Sequence, residues 1–153
     1  MRTLTLALGL ALVAGCAKEK PAAEAAPPTP PPPAAPAPIN LADVAGDWTF
    51  TVMPAVGDSV LLTYKLHATP ADTGWTITFP GRKPMALQIT TAGDSIMTTM
   101  AAYESVLRRR TKVSTESVLH LVNGQLVGTT TAHYATTKAD SVVHLRMNGA
   151  KTP

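Results

Sequence analysis

Three observations predict an all-β domain: an antiparallel meander of about eight strands, closed into a small barrel or, alternatively, folded as a two-sheet β-sandwich. From Trp48 onward, apolar residues recur at every second position, the period of a strand with one buried face. Threonine and valine, which fit a pleated surface better than a helix, recur throughout these runs. Turn-forming pairs interrupt them at intervals of roughly ten residues, which suits a meander.

The strands follow in order. Trp48, Phe50 and Val52 alternate with threonines and predict the first. Val60, Leu62, Tyr64 and Leu66 predict the second, Trp75, Ile77 and Phe79 the third, and Met85, Leu87 and Ile89 the fourth. Ile96, Thr98 and Met100 come next. In the following segment Val118 and Val122 compete with Leu119 and Leu121 for the interior. Leu126, Gly128, Thr130 and Ala132, and finally Val143, Leu145 and Met147, complete the set. Asn123-Gly124 is the strongest hairpin signal, because both residues tolerate positive φ in a type I′ turn. Asp72-Thr73-Gly74, Pro80-Gly81 and Ala92-Gly93-Asp94 mark other reversals. No stretch of the domain holds a helical period longer than one turn.

An acid, a serine and two apolar residues recur at Asp58, Asp94, Glu104, Glu116 and Asp140. Their intervals are irregular, so they are not repeat modules. Each is expected at a strand entry, where acid and serine satisfy the backbone amides of the turn.

The N-terminus reads as an export signal. Arg2 supplies a positive start, and Leu4 to Val13 form an apolar run broken by Thr5. That run is too short to span roughly 30 Å of hydrocarbon as a helix. The only cysteine of the 153 residues follows it, in Val13-Ala14-Gly15-Cys16. This segment resembles the lipobox of bacterial lipoproteins. The resemblance implies a signal peptide over 1–15, an acylated Cys16 as the mature N-terminus, and attachment to the lipid bilayer without a spanning segment. Ala17 lacks the aspartate that commonly retains such proteins at the inner membrane. The implied location is therefore the bacterial cell envelope, on the outer membrane and facing the periplasm.

Residues 16–39 form the acylated N-terminus and a Pro/Ala-rich linker, almost entirely Pro and Ala from Pro21 to Ile39, with PPTPPPPAAPAP at its centre. Such a stretch cannot bury enough apolar surface to offset chain entropy and favours an extended polyproline coil. At roughly 3.1 Å per residue it reaches about 60 Å as a semi-rigid stalk. Residues 40–153 remain as one foldable domain of about 115 residues, enough for a single core. The formal net charge of the whole chain is +3. Within the domain, acids and bases nearly balance and the bases form one short cluster, Arg108-Arg109-Arg110 with Lys112. That cluster could hold an anionic headgroup or glycan, but it reads as a solvated hairpin tip, and no nucleic-acid partner is expected.

The opening of the domain, Gly46-Asp47-Trp48, resembles the Gly-x-Trp start of the lipocalin and avidin families. The resemblance implies a small barrel with Trp48 plugging one end, and Arg146 is the candidate cation to cover that tryptophan. The chain departs from true lipocalins in lacking their Thr-Asp-Tyr-like second motif and flanking helix. Inward parity collects Trp48, Phe50, Tyr64, Trp75, Phe79 and Thr130 as candidate ligand-lining or core residues.

Chemistry-bearing patterns are sparse. His133 and His144 are expected diagonally on one sheet face, without a third ligand to complete a metal site. His67 has outward parity. There is no Gly-x-Ser-x-Gly elbow and no phosphate-binding glycine loop. The expectation is therefore no enzyme, no metal and no cofactor. It is a tethered barrel that binds a small apolar or amphipathic ligand without catalysis. The alternative is a structural module that presents its barrel surface to an envelope partner.

Overall fold

The computed structural model describes residues 37–153. The signal-peptide and lipobox readings, and nearly all of the Pro/Ala linker, lie outside the described residues. One helical turn, α1 (Leu41–Val44), comes first, capped by the Asn40 side chain, which accepts from Ala42 N at 3.1 Å. Nine strands follow: β1 (Gly46–Pro54), β2 (Leu62–Ala68), β3 (Thr76–Thr78), β4 (Met85–Ala86), β5 (Gln88–Ala92), β6 (Ser95–Glu104), β7 (Lys112–Val122), β8 (Gln125–Tyr134) and β9 (Val142–Lys151).

All strands belong to one antiparallel sheet in the order β4-β3-β2-β1-β9-β8-β7-β6-β5. The two edge strands are neighbours in the chain, with Leu87 alone between them. Leu87 N donates to Trp75 O at 3.0 Å. One segment thus pairs first with β3 and then with β6, and the sheet curls until its edges meet in that segment. The architecture is an up-and-down barrel, not a sandwich. Counting β4 and β5 as one bent strand recovers the eight expected. This near-closure leaves little of the unpaired edge that an open sheet offers to other chains.

Alternation decides which residues fill it. Trp48, Phe50, Val52, Tyr64 and Leu66 are buried while their neighbours face outward. Fully burying one such apolar side chain contributes roughly 1.5–3 kcal/mol. In β7 the contest resolves in favour of Leu119, 2 % exposed, with Val118 and Val122 outside. At Asn123-Gly124 both residues have positive φ, 51° and 76°, as the type I′ turn requires.

Several boundaries differ from the alternation pattern. Val60 is 60 % exposed, because β2 begins only at Leu62 and residues 55–61 form a loop. The third strand shrinks to Thr76–Thr78. Of the acid-serine copies, those at Asp58, Asp94 and Asp140 precede or enter strands. Glu104 instead ends β6, and Glu116 lies inside β7, whose register with β8 runs unbroken from Val113 to Val122.

The chain enters at one end of the barrel, where Ile39 N donates to Gly93 O at 2.8 Å. α1 covers this end: Val44 is fully buried and its carbonyl accepts from Trp48 Nε1 at 2.8 Å. Trp75 Nε1 reaches Ala71 O at 2.8 Å and Thr69 O at 3.1 Å, so neither buried indole lacks an acceptor. The compact unit Ala34–Pro153 contains the whole sheet and the whole buried core. It has what independent folding requires.

Candidate functional site at the barrel mouth

The opposite end, formed by the loops 55–61, 79–84, 105–111 and 135–141, is not filled by side chains. A cavity of about 60 Å³ remains there. One wall is aromatic. Tyr64 meets Phe79 edge-on with ring centroids 5.5 Å apart and Phe79 stacks on Tyr103 at 5.5 Å, while Phe50 stacks behind Tyr64 at 5.3 Å, outside the lining. The facing wall carries hydroxyls from Thr98, Thr115, Ser117 and Thr130. Ser117 Oγ donates to Thr130 Oγ1 at 2.9 Å, and Thr130 Oγ1 donates to Glu116 O at 3.2 Å. Tyr64 OH donates to Met147 Sδ at 3.4 Å, a weak pairing for a phenol.

Burial governs the phenols. It pushes Tyr64 well above the ordinary tyrosine value, with a further rise from Tyr103. Burial also pushes Tyr103 up to about 12, helped by Tyr134 and opposed by Arg82 and a hydrogen bond with Thr115. Both are neutral donors at physiological pH. The arrangement is an apolar pocket with a few fixed hydroxyl groups, suited to binding and orientation.

The segment 105–111 lies over the cavity, with Val106 and Leu107 among its lining residues. Ser105 Oγ accepts from Leu107 N at 3.1 Å and Arg108 N at 3.0 Å, and Ser105 N donates to Thr111 O at 2.8 Å. Two arginines hold the segment to neighbouring loops. Arg82 donates to Glu104 O and, at 3.2 Å, to Ser105 O. Arg108 lies over the Tyr134 ring, 3.9 Å from its centroid, and pairs with Asp140 at 2.9 Å. The basic cluster is thus divided: Arg109 and Arg110 are exposed, while Arg108 is half-buried against the mouth.

Of the residues singled out by sequence, Tyr64, Phe79 and Thr130 line the cavity. Trp48, Phe50 and Trp75 are buried but absent from its lining, and Trp48 and Trp75 fill the closed end as solid core. Arg146 does not cover Trp48. It sits toward the mouth, paired with Met53 across β1, and its guanidinium donates to Pro54 O, Gly57 O and Asp58 Oδ1. The cation over Trp48 is Lys151, whose Nζ lies 5.6 Å from the ring centroid. Lys151 is directly opposite Trp48 in the β1–β9 register, which carries Arg146 too far toward the other end.

Tyr103 escaped the alternation argument because β6 slips register between Met100 and Tyr103. Strict parity from Ile96 and Met100 points Ala102 inward and Tyr103 outward. The bulge reverses this and aims Tyr103 at the cavity. Tyr134 was legible, since it continues the inward row of Leu126, Thr130 and Ala132.

His133 and His144 face outward at diagonal positions of β8 and β9, with His144 Nδ1 3.2 Å from Thr131 Oγ1. His67 Nδ1 pairs with Asp47 at 2.8 Å. His120 Nδ1 lies 3.4 Å from Ser95 Oγ and 3.7 Å from Asp94. These three residue types do not form a hydrolase relay, in which serine and acid engage opposite ring nitrogens. Among the described residues, no three His, Cys, Asp or Glu side chains converge.

No family model matches the chain, and no curated protein or solved structure matches it either.

Proposed function

We propose that the protein is a non-catalytic binding module, a β-barrel held on a bacterial envelope by an acylated Cys16 and a Pro/Ala stalk. Its mouth takes a small apolar or amphipathic ligand. The observation that carries this reading is the unfilled space at the mouth, lined by Tyr64, Phe79, Thr98 and Thr130. Its size restricts the ligand. About 60 Å³ is far below the roughly 300–1,000 Å³ of pockets that enclose drug-sized molecules. In this conformation the site takes only the tip of a ligand, and a larger one requires the 105–107 segment to move outward.

The lipobox at Val13 to Cys16 supports the tether, and the Gly46-Asp47-Trp48 opening supports kinship with lipocalin-like barrels. Native mass spectrometry of the Ala34–Pro153 unit, purified from several expression hosts, tests the binding reading. A co-purifying small molecule that is lost on denaturation is expected. Consistent recovery of the bare mass would overturn it.

A further inference from the structure

The domain charges nearly cancel in the sequence but separate in the fold. At the mouth, Arg82 and Lys83 lie in one loop, Arg108 to Arg110 with Lys112 flank the next, and Lys138 lies in a third. The acids at this end are Asp58, Glu104 and Asp140. Asp58 and Asp140 are engaged by Arg146 and Arg108. Lys83, Arg109, Arg110, Lys112 and Lys138 are exposed and form no ion pair among the described residues. The closed end is the reverse: Asp43, Asp47, Asp72 and Asp94 surround a single cation, Lys151.

Five of the eight large apolar residues exposed among the described residues also lie at the mouth; Met97, Val118 and Val122 lie on β6 and β7 away from it. Val56 is 90 % exposed and Val60 60 %, both on the β1–β2 loop, and Leu61, Leu107 and Val142 at the same end are each at least 40 % exposed. Arg110 also adopts a positive φ of 59°, a conformation that a non-glycine residue visits at some cost.

We propose that the barrel mouth docks end-on to an anionic lipid bilayer. Apolar tips at Val56, Val60 and Leu107 enter the interfacial layer, and Lys83, Arg109, Arg110 and Lys112 meet the lipid phosphates. Charge complementarity selects this occupant. Clustered Lys and Arg beside apolar tips match a surface that is negative at the headgroups and apolar beneath. The acidic closed end is repelled by the same surface and turns the mouth toward it. This contact lies at the other end of the barrel from the entry of the chain at Ile39. It does not depend on Cys16, and it does not require the cavity to hold a ligand.

The test is co-sedimentation of the Ala34–Pro153 unit, which lacks the apolar N-terminus, with phosphatidylcholine vesicles, with or without phosphatidylglycerol. Binding is expected only to the phosphatidylglycerol vesicles and falls as salt is raised. The triple variant Arg109→Ala, Arg110→Ala, Lys112→Ala weakens it about fivefold per cation, roughly a hundredfold in total. Val56→Asp with Val60→Asp weakens it independently, while Lys151→Ala at the closed end does not. Circular dichroism of each variant establishes that the barrel is intact. Equal binding to both vesicle types, or a folded triple variant that binds like the parent, overturns the proposal. So does binding of monomeric short-chain phosphatidylglycerol without vesicle association, because the headgroup would then be recognised as a free ligand.

Discussion

Phe50 and Gly149 face each other across the β1–β9 ladder, and the phenyl ring lies where a side chain on Gly149 would be. A Cβ at residue 149 would stand 2.6 Å from ring carbons of Phe50. The ring is fully buried and stacked on Tyr64, so it has no free direction in which to yield. Gly149→Ala is therefore expected to destabilise the barrel by about 1–3 kcal/mol, as overpacking does. Urea denaturation gives the value. An unchanged midpoint would show that the ring can move.

The mouth can be filled by mutation. Ala132 is buried and lines the cavity, so Ala132→Leu places added carbons in the open space. The variant is expected to lose any co-purifying ligand while remaining folded, because the vacant volume receives the extra atoms. Native mass spectrometry and thermal denaturation, run together, check both halves.

Ser105 organises the segment over the cavity through two backbone amides. Ser105→Ala removes their acceptor at a buried position and is expected to cost about 1–3 kcal/mol locally. Hydrogen exchange should quicken at Leu107 and Arg108 and remain slow in β8 and β9. Uniform loss of protection would mean that the segment is integral to the core.

Alkaline titration reads the phenols. The folded-state value of Tyr103, about 12, exceeds the ordinary 10.0. Below pH 10 both folded and unfolded chains hold the proton, so this contribution is fully present. Between pH 10 and 12 the unfolded chain releases the proton first, and stability falls. The denaturation midpoint should be flat up to about pH 10 and decline above it. Tyr103→Phe should shrink the decline, while the Tyr64 phenol contributes in the same direction.

Position along β9 separates the roles of Lys151 and Arg146. Lys151→Met removes a cation near the Trp48 ring, worth about 0.5–1 kcal/mol, and should alter indole fluorescence. Arg146→Met should leave the fluorescence unchanged and loosen the loop carrying Gly57 and Asp58, visible as faster amide exchange there.

The meander and most of its inward row were legible in the sequence because period-two burial is a local property. Leu66, Ile96 and Leu126 announce it regardless of what they face. Residues whose orientation depends on long-range register were not. Tyr103 turns inward only because a bulge slips β6 against β7, and no turn residue in Met100–Tyr103 signals that slip. Lys151 meets Trp48 through a pairing of strands at opposite ends of the domain, which alternation cannot encode. The charge polarity was hidden for the same reason. Asp94 and Arg109 lie close in sequence, yet β6 carries them to opposite ends of the barrel.

The β1–β9 ladder joins Trp48 to Lys151, the first strand to the last. The ring therefore cannot close until β9 is present, and β1 waits with one side unpaired until then. Such distant pairings form slowly. Removing β9 would strip β1 and β8 of a shared neighbour at once and leave two raw borders open to aggregation.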